Sequence, residues 1–388
     1  MNMKKKISIL GSTGSIGLNA IKIISKKKKD FKINILAADK NYRLICKQIK
    51  ELKPNFFFIN NYSIYNKVKK KYNKSKIKIL KDLSLEKNKL TKSNITIAAI
   101  PGIAGLEPTI QLIKKSKKVL LANKESIICG WNLINNNALK YKTQIIPVDS
   151  EHFSIMKLLN SYKIKDIKKI YLTASGGPFL NFDLKKFKYI KPNQALKHPK
   201  WKMGKKISID SATLMNKILE SVEAQKLFSI SQKKIKLVIH PESLVHAAIE
   251  YKNGLIKFLY HKTNMIIPLA NAIFEENFDI DNFLPLKDKK DNRISLNSLN
   301  FFEVDKKRYP IFKLKNRINE YNSTPIIINA ANEILVDQFL KKKIPFNSFY
   351  HYISKVLNDR NYKKFAVKKP KSIREILQID QWAKIYGN

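Results

Sequence analysis

The turn Gly11-Ser12-Thr13-Gly14-Ser15-Ile16-Gly17 follows directly on the apolar run Ile7 to Leu10 and opens a stretch with helical spacing. A strand that feeds a helix through glycines brings backbone N–H groups close to whatever lies at the helix N-terminus, which favours an anion such as a dinucleotide pyrophosphate. The spacing is GxxGxxG, not the commoner GxGxxG, so a plain strand-to-helix turn is the competing reading. Further apolar runs at Ile33 to Ala38, Phe56 to Ile59, Ile95 to Ile100, Val119 to Ala122 and Ile145 to Val148 alternate with helical stretches. That rhythm predicts a mostly parallel α/β sheet. The second run ends in Ala38-Asp39-Lys40-Asn41, where an acid suits a ribose 2′-OH and a base suits a 2′-phosphate. Asp39 argues for NAD and Lys40 for NADP, and the residues alone leave both open.

Beyond this sheet the chemistry is acidic and phosphate-like. Asp149-Ser150-Glu151 follows the run Ile145 to Val148, and on an extended backbone residues two apart project to one face. Two carboxylates on one face repel unless a cation or a proton sits between them; exposed acids at a strand end are the alternative. A third carboxylate, Glu220, lies on a helix expected from Ala212 to Phe228, with Asn216 one turn earlier and Lys217 beside it. Three oxygen ligands without thiolates suit Mg²⁺ or Mn²⁺ better than zinc. Ser211, just before that helix, reads as an N-cap or as part of a phosphate site, and Ser175-Gly176-Gly177-Pro178 is a second small-residue turn with amides to offer. The stretch His198-Pro199-Lys200-Trp201-Lys202-Met203-Gly204 reads as a mobile lid over an anionic ligand, with a tryptophan that merely packs onto the surface as the competing reading. His240 and His246 read as structural.

A chain of 388 residues exceeds what one core usually serves and predicts two or three domains. We expect a first domain over residues 1–149, a second over 150–275, a polar linker over 276–300 and a helical region over 301–388. The net charge of +46 invites a nucleic-acid partner. However, the lysines are spread over surface-like segments, so the expectation is a solvated surface and no nucleic-acid binding. The N-terminal apolar run is too short for a signal peptide, no run is long enough to cross a membrane, and two distant cysteines suggest neither disulfide nor zinc site. A cytoplasmic protein without membrane attachment is expected.

With Gly11 to Gly17, Leu121-Ala122-Asn123-Lys124-Glu125-Ser126, Pro147-Val148-Asp149-Ser150-Glu151-His152, Ser175 to Phe179, His198 to Gly204 and Asp210 to Glu220 in one order, the chain resembles the 1-deoxy-D-xylulose 5-phosphate reductoisomerases. The likeness runs on through His240-Pro241-Glu242-Ser243 to Asn329-Ala330-Ala331-Asn332-Glu333. It implies an N-terminal Rossmann-like NADPH domain, a central α/β catalytic and dimerising domain and a C-terminal helical domain, assembled as a V-shaped homodimer. It implies Mg²⁺ or Mn²⁺, with Co²⁺ a further candidate, held by Asp149, Glu151 and Glu220. NADPH would touch Thr13, Gly14, Ser15, Ile16, Asp39, Lys40, Asn41, Asn123, Glu125 and Gly204. A small phosphorylated sugar would meet Ser175, His198, Ser211, Asn216 and Lys217, with Lys124, Ser150, Glu151 and Glu220 near the reacting carbons. Lys124, Glu151 and Lys217 would carry the catalytic roles, and Trp201 and Met203 would lie on a substrate-covering flap. Two residues depart from the family pattern: Asp39 stands where glycine is common and Glu242 where glutamine is common. The first weighs against NADP, while the neighbouring Lys40 favours it.

Overall fold

The computed structural model describes residues 4–83, 88–159, 163–201, 203–275, 278–285 and 298–386. The chain divides into two compact units. One comprises Met1–Ser126, Trp131–Asp149 and Met265–Ile294; the other comprises Ile127–Gly130, Ser150–Asn264 and Ser295–Asn388.

In the first unit seven strands form one parallel sheet: β1 Lys5–Leu10, β2 Phe31–Ala38, β3 Phe56–Ile59, β4 Lys78–Leu80, β5 Ser93–Ala98, β6 Ser116–Leu121 and β7 Gln144–Pro147. Their order is β4-β3-β2-β1-β5-β6-β7. A parallel sheet needs both faces covered, which explains why these strands are continuous apolar runs rather than alternating ones. The cover comes from helices α1 Ser15–Lys26, α2 Tyr42–Leu52, α3 Tyr62–Lys71, α4 Leu106–Ile113 and α5 Lys124–Tyr141. Strand β4 is absent from the sequence reading, since three residues beginning with a lysine give no apolar run. The strand order reverses direction between β1 and β5, and in such sheets the crevice beyond the carboxyl ends at that reversal is where ligands bind.

The turn after β1 is built for close approach. Gly11 has φ +81°, and a Cβ there would lie 2.5 Å from the Ala99 carbonyl oxygen. At Gly17 a Cβ would run into Gly11 and lie 2.7 Å from Ser12 Cα, so the first turn of α1 can pack only with glycine there.

The helix Ile266–Phe274 belongs to this unit, where it packs on α1, and Phe274 meets Phe31 at a ring separation of 5.8 Å. The sequence reading ran the central domain on to residue 275 and made 276–300 a linker; the described part is otherwise. Phe278 and Phe283 stack with Phe274 at 5.3 and 5.2 Å, and Phe283 and Leu284 are buried. Aromatic rings in a mainly polar stretch were enough to dock it. Residues 276–277 and 286–297 lie outside the described residues.

The second unit is built on a mixed sheet of β8 Ile167–Ala174, β9 Ile235–Ile239, β10 Val245–Tyr251, β11 Ile256–Tyr260 and β12 Phe302–Glu303, in the order β11-β10-β8-β9-β12. Helix α6 Ser150–Leu159 packs on β10 and β11. The helix expected from Ala212 to Phe228 starts only at Met215, and a helix absent from the sequence reading precedes it: these are α7 Lys205–Thr213 and α8 Met215–Phe228. Between them Leu214 takes φ +70°, ψ 2°, a left-handed conformation that costs a non-glycine residue about 1–2 kcal/mol and is held here by complete burial of the side chain. Helices α9 Thr324–Leu340, α10 Phe349–Leu357 and α11 Ile373–Tyr386 form the expected C-terminal helical region, which falls in the same compact unit as this sheet. No described helix is long and apolar enough to cross a membrane.

Candidate active site

In the first unit a cleft of 1480 Å³ opens at the carboxyl ends of the parallel strands. Gly11, Thr13 and Gly14 line it from the turn after β1, Asp39, Lys40 and Asn41 from the turn after β2, and Ala99, Ile100 and Pro101 from the turn after β5. Gly14 is the N-cap of α1 and makes no side-chain cap, so the first amides of that helix are left for a ligand. Asn41 caps α2 through Leu44 N at 3.1 Å, while Asp39 accepts from Asn60 Nδ2 at 3.1 Å. Ser15 and Ile16 follow in the first turn of α1. Asn123 and Glu125 do not line this cleft. Asn123 is the N-cap of α5: its Oδ1 accepts from Ser126 N at 2.7 Å, and its Nδ2 donates to the carbonyls of Ile100 and, at 2.9 Å, of Gly102. The cleft also takes in Lys81, Gln111, Lys114 and Lys115, which the sequence reading passed over. Among so many lysines nothing marked these three.

Asp149 ends the Trp131–Asp149 segment of this unit, and its carboxylate lies 3.0 Å from Lys124 Nζ at the start of α5. The next residue, Ser150, opens α6, so Glu151 stands in the first turn of a helix. The expectation of an extended Asp149-Ser150-Glu151 backbone is corrected: the strand ends at Pro147, and a carboxylate in a first helical turn is favoured by the helix dipole.

Within the second unit two carboxylates converge on one ammonium. Lys217 Nζ bonds Glu151 Oε1 and, at 2.7 Å, Glu220 Oε2. Ser150 Oγ donates to the other Glu151 oxygen at 2.7 Å, and Asn216 Nδ2 donates to Glu220 Oε1. Glu220 is 1% exposed, and each glutamate offers an oxygen within 4.8 Å of the other. Paired buried carboxylates need positive charge, and an all-oxygen donor set is the kind that Mg²⁺ and Mn²⁺ prefer. Behind them His152, absent from the sequence-based site list, holds the Glu220 carbonyl through Nε2 at 3.0 Å, and its Nδ1 lies 3.3 Å from the buried Glu223. A histidine one residue after an acid was the only cue.

The left-handed Leu214 brings the end of α7 and the start of α8 together. Ser211 therefore lies in the last turn of α7 and is no N-cap, a correction that follows from the break at Leu214. Asn216 and Lys217 occupy the first turn of α8. Ser175, in the turn after β8, accepts from Gly177 N at 3.1 Å and pairs with His198 Nε2 at 3.0 Å. His198 Nδ1 accepts from Lys200 N at 3.1 Å and Trp201 N at 2.9 Å, so the ring's proton sits on Nε2 and points at Ser175 Oγ. With both lone pairs engaged, the Ser175 hydroxyl has its own hydrogen free to donate. Burial, then the nearby Lys217 charge, lower the His198 pKa to about 4, which keeps the ring neutral at pH 7.

This neutral ring has a measurable signature. Its folded pKa lies below the ordinary 6.5, so the unfolded chain takes up a proton that the folded chain refuses, and stability is lost as pH falls from 6.5 towards 4. The melting temperature of a His198→Gln variant is expected to fall less steeply than the parent's across that window. A steeper fall in the variant contradicts a neutral His198.

Trp201 packs edge-on against His246 at 5.9 Å, and His246 stacks on His261 at 3.9 Å. Met203 is half-buried beside it, and Gly204 is the N-cap of α7, with open space where a Cβ would be. Lys202 lies outside the described residues. His240 is structural: Nδ1 faces the Asn300 carbonyl at 2.8 Å, and Nε2 accepts from Leu244 N and Val245 N at 3.2 Å each. Glu242, one of the two unusual residues, accepts from Asn300 Nδ2 at 2.8 Å and takes no part in the carboxylate pair.

Comparison with known proteins covers the whole chain. Residues 7–130 match the family model described as 1-deoxy-D-xylulose 5-phosphate reductoisomerase, residues 145–228 match that of its C-terminal domain, and residues 261–386 match the DXP reductoisomerase C-terminal domain. The 1-deoxy-D-xylulose 5-phosphate reductoisomerase of Pelagibacter ubique is 44% identical over 385 residues, covering 98% of both chains. That of Wolbachia pipientis wMel is 37% identical over 388 residues, covering 99% of this chain and 97% of its own. Among solved structures, the Zymomonas mobilis enzyme in complex with NADPH has a TM-score of 0.86 at 31% identity, covering 99% of this chain and 98% of its own. A DOX-P reductoisomerase in complex with NADPH, fosmidomycin and magnesium has a TM-score of 0.89 at 30% identity, covering 99% and 97%.

Proposed function

The chain belongs to the 1-deoxy-D-xylulose 5-phosphate reductoisomerase family, and from that membership we infer its reaction: rearrangement and NADPH-dependent, divalent-metal-dependent reduction of 1-deoxy-D-xylulose 5-phosphate to 2-C-methyl-D-erythritol 4-phosphate, in the non-mevalonate route to isoprenoid precursors. It is an NADP-dependent oxidoreductase acting on a small phosphorylated substrate. The observation that carries the reading is the buried pair Glu151 and Glu220 on Lys217, an all-oxygen donor set of the kind a divalent ion prefers.

In this proposal Asp149, Glu151 and Glu220 hold the divalent ion. When bound, such an ion supplies Lewis acidity towards the oxygens of the substrate. NADPH supplies the hydride. The chain's own groups do the rest. Lys124, already paired with Asp149, adds a cation where substrate oxygens become anionic. Ser150 and Glu151 orient the substrate hydroxyls. Ser175, whose hydroxyl hydrogen is free, donates to the phosphate together with Ser211, Asn216 and Lys217, and the neutral His198 orients the Ser175 hydroxyl through its Nε2–H. Binding the remote phosphate orients the reacting carbons, which raises the rate and not merely the affinity. Trp201 and Met203 close over the substrate and keep water from the aldehyde stage.

The glycine turn and the cleft of the first unit fit a dinucleotide. Thr13, Gly14, Ser15 and Ile16 would meet its phosphates and Asp39, Lys40 and Asn41 its adenosine ribose, with Asn123, Glu125 and Gly204 nearer the nicotinamide. Asp39 adds an anion next to Lys40, where a 2′-phosphate carries its own charge. Asp39→Gly is therefore expected to lower KM for NADPH by about three- to tenfold with little change for NADH, and Lys40→Ala to raise it by a similar factor. Equal effects of either change on both nucleotides would contradict this placement.

A homodimer is part of the proposal. The edge strand β11 and the residue before it leave Leu255, Ile256 and Phe258 about half exposed, and an apolar sheet edge is a surface that a second copy can cover. Cys46 and Cys129 are not joined in a disulfide, which accords with the proposed cytoplasmic location. The activity is tested by following NADPH oxidation on addition of 1-deoxy-D-xylulose 5-phosphate, with and without metal.

A further inference from the structure

The turn Ser175 to Phe179 has an unusual need for support. Gly176 and Gly177 both take positive φ, +81° and +64°, and glycine backbone is the freest of all to move. On one side the turn lies flat on α7: a Cβ at Gly177 would sit 3.0 Å from Ala212 Cα and 3.1 Å from the Ser211 carbonyl oxygen. On the other side it is gripped by two consecutive residues from far along the chain. Tyr309 Oη donates to the Gly176 carbonyl at 2.7 Å. Arg308 Nη1 donates to the carbonyls of Phe179 at 2.8 Å and Phe182 at 2.6 Å, and its guanidinium lies over the Phe187 ring at 5.6 Å. Tyr309 is 2% exposed.

We propose that Tyr309 and Arg308 are positioning residues for the substrate phosphate: they pin the Ser175–Phe179 turn against α7, so that the Ser175 hydroxyl and Ser211 face one anion. The proposal rests on the phosphate subsite assigned above and adds the part of the chain that sets its geometry. Neither side chain touches the phosphate. Their effect passes through three carbonyls, those of Gly176, Phe179 and Phe182, held by one hydroxyl donor and one planar cation. Anion donors act only when held close to their working positions, and a turn with two left-handed glycines does not hold itself there.

The test is Tyr309→Phe, which removes one oxygen and keeps the ring, with Arg308→Lys as the second variant should the first fold poorly. Loss of the buried hydroxyl donor should raise KM for 1-deoxy-D-xylulose 5-phosphate and the inhibition constant of inorganic phosphate together, by about five- to tenfold, and lower kcat with them, because the same grip on the phosphate orients the reacting carbons. KM for NADPH should not move. A role confined to stability gives another pattern: a lower melting temperature with the phosphate inhibition constant unchanged, and that result overturns the proposal. If the parent itself does not turn over 1-deoxy-D-xylulose 5-phosphate, the functional reading fails instead. Calorimetric titration of parent and variant with inorganic phosphate then still decides whether these residues set anion affinity.

Discussion

Replacing Glu220 by Gln should leave a folded protein whose kcat/KM for 1-deoxy-D-xylulose 5-phosphate is lower by about 10³-fold or more, at any Mg²⁺ or Mn²⁺ concentration. The argument starts from burial. Glu220 is almost inaccessible, its two oxygens are bonded by Asn216 and Lys217, and it faces Glu151 within 4.8 Å. Glutamine keeps the shape and one acceptor while removing the charge that would hold a divalent ion. Repulsion from Glu151 also falls, so the melting temperature without metal is expected to hold or rise. Stability retained with activity lost is the signature of a ligand rather than of a packing residue. A variant that keeps more than about a tenth of the parent's kcat/KM would remove Glu220 from the ion site.

Lys217→Met makes the complementary case. In the structure Lys217 Nζ is the cation between two buried carboxylates, and deleting one partner of a buried ion pair typically costs about 3–5 kcal/mol because the charge left behind is uncompensated. The metal-free variant should therefore melt well below the parent. Added Mn²⁺ should recover much of that loss, because a divalent ion compensates the same carboxylates, and the parent should gain less. Activity should fall by about 10²-fold even with metal, since the phosphate also loses a charged donor. Melting curves with and without Mn²⁺ read this directly. A variant destabilised equally in both conditions would mean that Lys217 and the ion do not share those glutamates.

The parts of the molecule that could be read from sequence are those whose chemistry is local. Gly11 to Gly17 announced its turn because the conformation itself demands glycine, and the apolar runs announced the parallel sheet because both of its faces are buried. What sequence could not show depends on a single backbone angle or a distant partner. Leu214 bears no mark of a left-handed residue, so α8 looked as though it started at Ala212, inside the end of α7, and Ser211 looked like its cap. Asp149-Ser150-Glu151 looked extended because a strand precedes it, although Ser150 already begins α6. Helix Ile266–Phe274 returns to the first unit through ring contacts, which no composition window reveals. Arg308 and Tyr309 lie some 130 residues from the carbonyls they hold, and that pairing exists only in three dimensions. Motif order supplied candidate residues for the site, but not how the fold braces them.

The most direct test of the central claim is NADPH oxidation followed at saturating 1-deoxy-D-xylulose 5-phosphate, with the purified chain stripped of metal and then titrated with Mg²⁺ or Mn²⁺. Turnover that is absent in the stripped protein, appears with either ion and prefers NADPH over NADH is the predicted result. A folded, metal-loaded protein that oxidises no NADPH with this substrate would contradict the account.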